Sequence, residues 1–195
     1  MDVQRDAALL DAALQLLSEV GYERLSLTEV CRRARASTKT VYRRWSNKDQ
    51  LMAAALRRAV SRSVDEQVPL TSSGSLREDL VHNLLPSAVP EQQLTPQYFS
   101  GLLVAASGSD EVGRMAKKLC RMHHSRVAET VLGWARERGE LGEGADPVLI
   151  ADLARSALIH QVLVADGDLD VRFVESFVDR VLLPVLAPFR TGGAR

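Results

Sequence analysis

Cysteine is scarce in this chain: Cys31 and Cys120 stand far apart, which makes neither a disulfide framework nor a zinc-binding pattern and fits a reducing compartment. Long apolar runs are missing as well. No uncharged stretch of about 18 apolar residues occurs, and the opening MDVQRDAALLDAALQLL carries acidic residues at helical period, unlike a secretory leader. A soluble, cytoplasmic protein with no membrane partner is therefore expected. Strand-period alternation and internal repeats are absent, which leaves an all-α fold. There is no Gly-rich phosphate loop, no nucleophile elbow and no pair of catalytic carboxylates. The sequence thus offers no catalytic residue, no cofactor site and no motif behind an enzymatic reading. Net charge is absent too, since 25 basic residues balance 25 acidic ones.

What is present is an uneven distribution of that charge. Residues 1–62 carry 12 Lys and Arg against 7 Asp and Glu, whereas the other 133 residues carry 13 against 18. A basic head on an acidic body points to one end meeting an anionic partner. The head contains three helix starts at close intervals. Ser26-Leu27-Thr28-Glu29 reads as a capping box, Ser37 opens Thr38 to Trp45, and Ser46-Asn47 opens a helix at Lys48 and Asp49. Two short helices joined by a tight turn and followed by a third make the layout of a helix-turn-helix. From Arg32 to Lys48 the basic residues are Arg32, Arg33, Arg35, Lys39, Arg43, Arg44 and Lys48, with Tyr42 and Trp45 among them and no acid. Like charges at helical spacing repel, so the run suggests nucleic acid. The plainer reading is a basic surface on a small helical bundle.

Gly21-Tyr22 after an amphipathic helix, Leu27-Thr28-Glu29-Val30, Ser37 through Trp45 and Asn47-Lys48-Asp49-Gln50-Leu51 resemble the N-terminal DNA-binding domain of the TetR family of bacterial repressors, over about residues 5–55. The resemblance implies a three-helix head over residues 1–50 and a helical ligand-binding and dimerisation body over 51–195, about nine helices in all. It implies a recognition helix from Thr38 to Trp45 in the major groove of duplex DNA. Thr38 and Lys39 would reach base edges, Ser37, Thr40, Tyr42, Arg44 and Lys48 would hold phosphates, and Arg43 could do either. One departure stands in the turn, where the family usually has Gly and this chain reads Ala34-Arg35-Ala36-Ser37. A left-handed Arg35 would cost about 1–2 kcal/mol, so the turn is either strained or differently shaped. Cys31 reads as a small core hydrophobe on the inner side of the second helix.

Leu9, Ala12, Ala13, Leu16, Leu17 and Val20 form an amphipathic stripe closed by Gly21. A helix from Lys48 runs towards Val64, and Val68-Pro69-Leu70-Thr71-Ser72-Ser73-Gly74-Ser75 reads as a linker. Helices are expected over Leu76–Leu85, Pro96–Ser107 and Glu111–Arg138, then from Asp146-Pro147 to about Ala165, and from about Asp170 to Val185 with a bend near Pro184. The last two are apolar enough to pair with twofold copies in a homodimer, through Leu153, Ala157, His160, Val174, Val178, Val181 and Leu182; the plainer reading is core helices of a monomer. The resemblance implies the same dimer. Tyr98, Phe99, Leu102, Met115, Leu119, Met122 and Trp134 are core by default, and by resemblance would surround a small-molecule effector. Cys120, His123 and His124 are too few and too divergent for a metal, and read as polar pocket lining or surface. The expectation is a DNA-binding transcriptional regulator released by an apolar or amphipathic ligand. The alternatives are a regulator governed by protein contacts and, with less support, a helical enzyme.

Overall fold

The computed structural model describes residues 2–65, 69–84, 96–108, 110–165 and 167–191; the side chains of residues 2–5, 63–65, 97 and 98 lie outside that description. The described residues are helical apart from loops and one isolated bridge between Leu141 and Arg190. Among them no helix is long and apolar enough to cross a membrane. They form two compact units, residues 1–67 with 89–120, and residues 68–88 with 121–195.

The first unit contains α1 (Asp2–Arg24), α2 (Leu27–Arg33), α3 (Thr38–Arg44), α4 (Lys48–Asp65) and α6 (Pro96–Ser107), together with the start of α7 (Glu111–Glu137). Its core joins Leu9, Ala13, Leu16 and Leu17 of α1 to Val30 and Cys31 of α2, Val41 of α3, and Leu51, Met52 and Leu56 of α4. Each such leucine contributes roughly 1.5–3 kcal/mol by leaving water. Cys31 is therefore the core hydrophobe expected, and burial pushes its thiol pKa up. Gly21 adopts φ 76° and ψ 170°, which breaks α1 there and leaves one short helical turn behind it.

The boundary expected at residue 50 falls inside this unit. Leu102 and Ala105 of α6 are buried in the same core as α1. The approach is close, since a Cβ on Gly101 would stand 2.9 Å from Leu17 Cδ1 and 3.3 Å from the backbone of Gly21 and Tyr22. Only glycine lets the two helices meet at that distance.

The second unit holds α5 (Leu76–Leu84), the remainder of α7, α8 (Pro147–Leu163), α9 (Val171–Phe177) and α10 (Leu183–Leu186). Asp146 caps α8 by accepting from Val148 N–H at 2.8 Å, with Pro147 at the first helical position. Asp170 caps α9 by accepting from Phe173 N–H at 2.8 Å. The bend expected at Pro184 is a wide turn over Val178–Leu182, in which Leu183 N–H reaches back to the Val178 carbonyl. Pro184 has no N–H for the carbonyl four residues back and its ring crowds that group, so the turn ahead of it opens.

The segment expected to be a free linker is pinned where it is described. Asn83 accepts from Thr71 N–H at 3.0 Å and donates to the Thr71 carbonyl at 2.9 Å. The buried Asp79 carboxylate accepts from Ser73 N–H and pairs with Arg138 at 2.8 Å. Glu140, which Arg138 also holds, accepts from Leu76 N–H at 2.9 Å. Residues 71–76 thus belong to the second unit, anchored by buried groups that must be partnered.

Candidate nucleic-acid interface

The turn between α2 and α3 ends α2 in a Schellman motif. Ala36 N–H donates to the Cys31 carbonyl at 2.9 Å and Arg35 N–H to the Arg32 carbonyl at 3.3 Å. That motif requires a left-handed residue, and Arg35 supplies it at φ 50°, the one non-glycine with positive φ among the described residues. Of the two alternatives the turn is the strained one, and its shape is ordinary. The capping box at Ser26 is half made: its hydroxyl accepts from Glu29 N–H at 3.2 Å, but the Glu29 carboxylate turns to Arg32 instead. A near relative of the box occurs at α4, where Asn47 accepts from Gln50 N–H and the Gln50 side chain accepts from the N–H of Ser46, one residue ahead of the cap, both at 2.9 Å.

Helix α3 starts at Ser37, whose hydroxyl accepts from Thr40 N–H at 3.2 Å and lies 2.8 Å from the Thr40 hydroxyl. At about 100° per residue, Thr38, Lys39, Tyr42 and Arg43 span an arc of about 140°, with Val41 well outside it. All four arc residues are exposed and Val41 is fully buried. The helix is thus pinned by one valine and presents one threonine, one aromatic ring and two cations to solvent. Among the described residues no ion pair engages Arg35, Lys39 or Arg43.

Arg44 and Thr40 fall on the other side. Arg44 pairs with Asp6 of α1 at 2.6 Å, and Thr40 is half-buried against Ser37. Both were expected to hold phosphates, but the helix turns them towards the head itself, a consequence already contained in the 3.6-residue period. Lys48 is engaged as well: its ammonium donates to the Tyr22 carbonyl at 3.2 Å and sits 4.4 Å from the centre of the Tyr22 ring. The Tyr22 hydroxyl donates to Asp49. Burial, then that bond, raises the phenol pKa well above its ordinary value, so it remains a donor. The sequence names Tyr22 only as part of the resemblance and Asp6 not at all, because nothing local marks a partner brought in from another helix.

The run of cations is also less uncompensated than the sequence suggests. Arg33 meets Glu19 of α1 at 2.6 Å, and Arg32 meets Glu29. Acids outside the run neutralise its first part, which concentrates the free positive charge on the turn and the outer face of α3.

The other candidate residues divide. Leu102 lies in the first core with Met115 and Leu119 packed against it, and Phe99 is in the same unit, whereas Met122 and Trp134 belong to the second unit; the group does not share one core. The Tyr98 side chain lies outside the described residues. Val174, Val178 and Leu182 are fully buried among α5, α7 and α8 side chains of their own unit, so they cannot serve as interface residues. Leu153, Ala157 and Val181 are half-buried and His160 is exposed. Among the described residues no group of three His, Cys, Asp or Glu could hold a metal.

A capped three-helix head with an exposed basic recognition helix defines a helix-turn-helix DNA-binding protein. The comparisons give the family. Residues 9–55 match the description "Bacterial regulatory proteins, tetR family", and residues 70–181 match "Tetracyclin repressor-like, C-terminal domain". The chain is 36% identical over 184 residues to the DNA-binding transcriptional repressor TetR of Mycobacteroides abscessus, covering 94% of this chain and 95% of that one. It is 31% identical over 184 residues to an uncharacterized HTH-type transcriptional regulator of Mycobacterium bovis, covering 93% and 88%. A solved TetR-family regulator from Mesorhizobium loti shares the fold with a TM-score of 0.73 at 17% identity, covering 98% and 99%. The reduced form of Escherichia coli NemR does so with a TM-score of 0.69 at 15% identity, covering 91% and 96%. The chain belongs to the TetR family and is a DNA-binding transcriptional regulator. These names indicate a regulator rather than an enzyme.

Proposed function

We propose that the protein is a homodimeric repressor that binds a pseudo-palindromic operator in the cytoplasm and is released by a small molecule held in its helical body. The observation that carries the DNA reading is the outer face of α3, where Lys39 and Arg43 stand exposed beside Thr38 and Tyr42 while Val41 anchors the helix. Thr38 and Lys39, at the helix start, read base edges. Ser37, Tyr42 and Arg43 hold phosphates, and Lys48 keeps hydrogens to spare for one. Arg35 joins them as an exposed cation on the turn.

Two copies of one reading head require two inverted half-sites. The dimer face lies on the outer stripe of α8 and the residue that caps its end, where Leu149 is 48% exposed and Val164 71% exposed, with Leu153, Ala157 and His160 between them. A ligand lowers operator affinity only by preferring a body conformation that spaces the two heads wrongly, and operator then weakens ligand binding by the same factor. The test is selection of bound duplexes from a random pool, followed by a screen of metabolites for release. Recovered sites without inverted symmetry, or a monomer in sedimentation at concentrations that saturate operator, would refute the dimeric reading.

A further inference from the structure

In the second unit the inward stripe of α7 consists of Val127, Ala128, Val131, Leu132 and Ala135, all buried. One helical turn earlier the same stripe brings His123 and His124 where an apolar pair would continue it. Their rings stand edge to face with centres 5.3 Å apart. The Asn83 carbonyl of α5 accepts a hydrogen bond from the His123 ring, which leaves Nε2 buried without a partner; Nδ1 of His124 is likewise buried and unpartnered. Arg155 of α8 lies close enough to bear on His124 electrostatically, with its side chain 16% exposed. One of its terminal nitrogens pairs with Asp152, while Nη1 is buried without a partner. Burial and Arg126 lower the His123 pKa, and burial, His123 and Arg155 push that of His124 down to about 3, so both rings are neutral.

The chemistry of a matching group follows from this inventory. The neutral His123 ring, donating to Asn83, offers only a lone pair at Nε2, and a guanidinium offers only N–H. Buried groups of both kinds, left unpaired, are costly. A carboxylate would bring no hydrogen to Nε2 of His123, an ammonium would meet Arg155 as a like charge, and an ether brings no donor. A hydroxyl gives its hydrogen to an imidazole and accepts from the guanidinium with the same oxygen. We propose that His123, His124 and Arg155 form a hydroxyl-recognition site inside the second unit, whose ligand is a neutral phenol-type molecule with its apolar ring in the surrounding core. This deepens the ligand reading above and rests on it.

Calorimetry of the full chain with 2-naphthol and with 2-methoxynaphthalene tests the site. 2-Naphthol is expected to bind at least about tenfold more tightly than its methyl ether. His123→Phe and Arg155→Met each abolish that preference, while His123→Gln, which keeps an acceptor, retains part of it. Unchanged operator affinity of the ligand-free variants shows that they are folded. In NMR, the His123 ring nitrogens shift with naphthol and not with the ether. No binding of 2-naphthol, equal affinity for the two compounds, or a preference that survives both substitutions overturns the site. Operator release is scored in the same samples. Naphthol bound with the expected preference but without release supports the site and counts against the release reading. Release of operator by naphthol with a preference over the ether that both variants retain overturns the site and leaves release standing.

Discussion

Arg35 holds a conformation that glycine holds elsewhere in the same chain, and this allows its cost to be measured. At the end of α7 the same hydrogen bonds recur, Glu140 N–H to the Ala135 carbonyl and Gly139 N–H to the Arg136 carbonyl, both at 2.9 Å, with Gly139 at φ 71°. The left-handed region costs an L-residue about 1–2 kcal/mol, and glycine gives back about 0.5–1 kcal/mol through its looser unfolded chain. Arg35→Gly should therefore be more stable than Arg35→Ala by about 1 kcal/mol, since both remove the same charge and only one removes the strain. Gly139→Ala is the converse, expected to lose about as much. A Cβ there meets nothing within 4 Å, so no clash confounds the comparison. With a urea slope of about 1–3 kcal/mol per molar, the midpoints should separate by about 0.3–1 M. Operator affinity should fall equally in Arg35→Gly and Arg35→Ala, as one exposed cation is lost from each. Equal urea midpoints for the two Arg35 variants, at equal slope, would refute the strain argument.

Lys39→Ala should change operator sequence preference by about 1–3 kcal/mol, while Arg43→Ala should weaken all duplexes alike and reduce the salt slope by about one; binding selections at two salt concentrations check both. Val178→Asp should destabilise the protein by about 3 kcal/mol or more by burying a charge, whereas Leu149→Lys should leave the melting curve of the protomer intact and shift sedimentation towards monomer. His124 resists protonation in the folded state, so its contribution is fully present above the unfolded value near 6.5 and is lost as pH falls towards about 3. Stability should drop by about 1.4 kcal/mol per pH unit within that window, and His124→Phe should flatten the slope in urea titrations. Gly101→Ala should cost about 1–3 kcal/mol by forcing α6 off α1, read as a lowered midpoint in thermal unfolding.

Local chemistry was legible in the residues themselves. Ser37, Asp146-Pro147 and Asp170 mark helix starts because a side-chain oxygen beside an orphan N–H acts within three residues, and each is found capping its helix. The stripe of Leu9, Ala13, Leu16 and Leu17 is buried as its period requires. The basic recognition helix and its resemblance to TetR heads were readable for the same reason: the motif is contiguous. The 3.6-residue period alone also separates Arg43 from Arg44 on α3.

What the tertiary structure decided was every partner supplied from a distance. Asp6 claims Arg44 and Tyr22 claims Lys48 from positions that no short-range pattern connects to them. The apolar residues of α9 and the turn after it could face a twin or their own core, and hydrophobicity is the same in both cases. Burial assigns Val174, Val178 and Leu182 to the core. Likewise Gly101 looked like any helical glycine until α1 was packed against it. Non-directional burial says that a side chain leaves water, and only the folded arrangement says against what it packs.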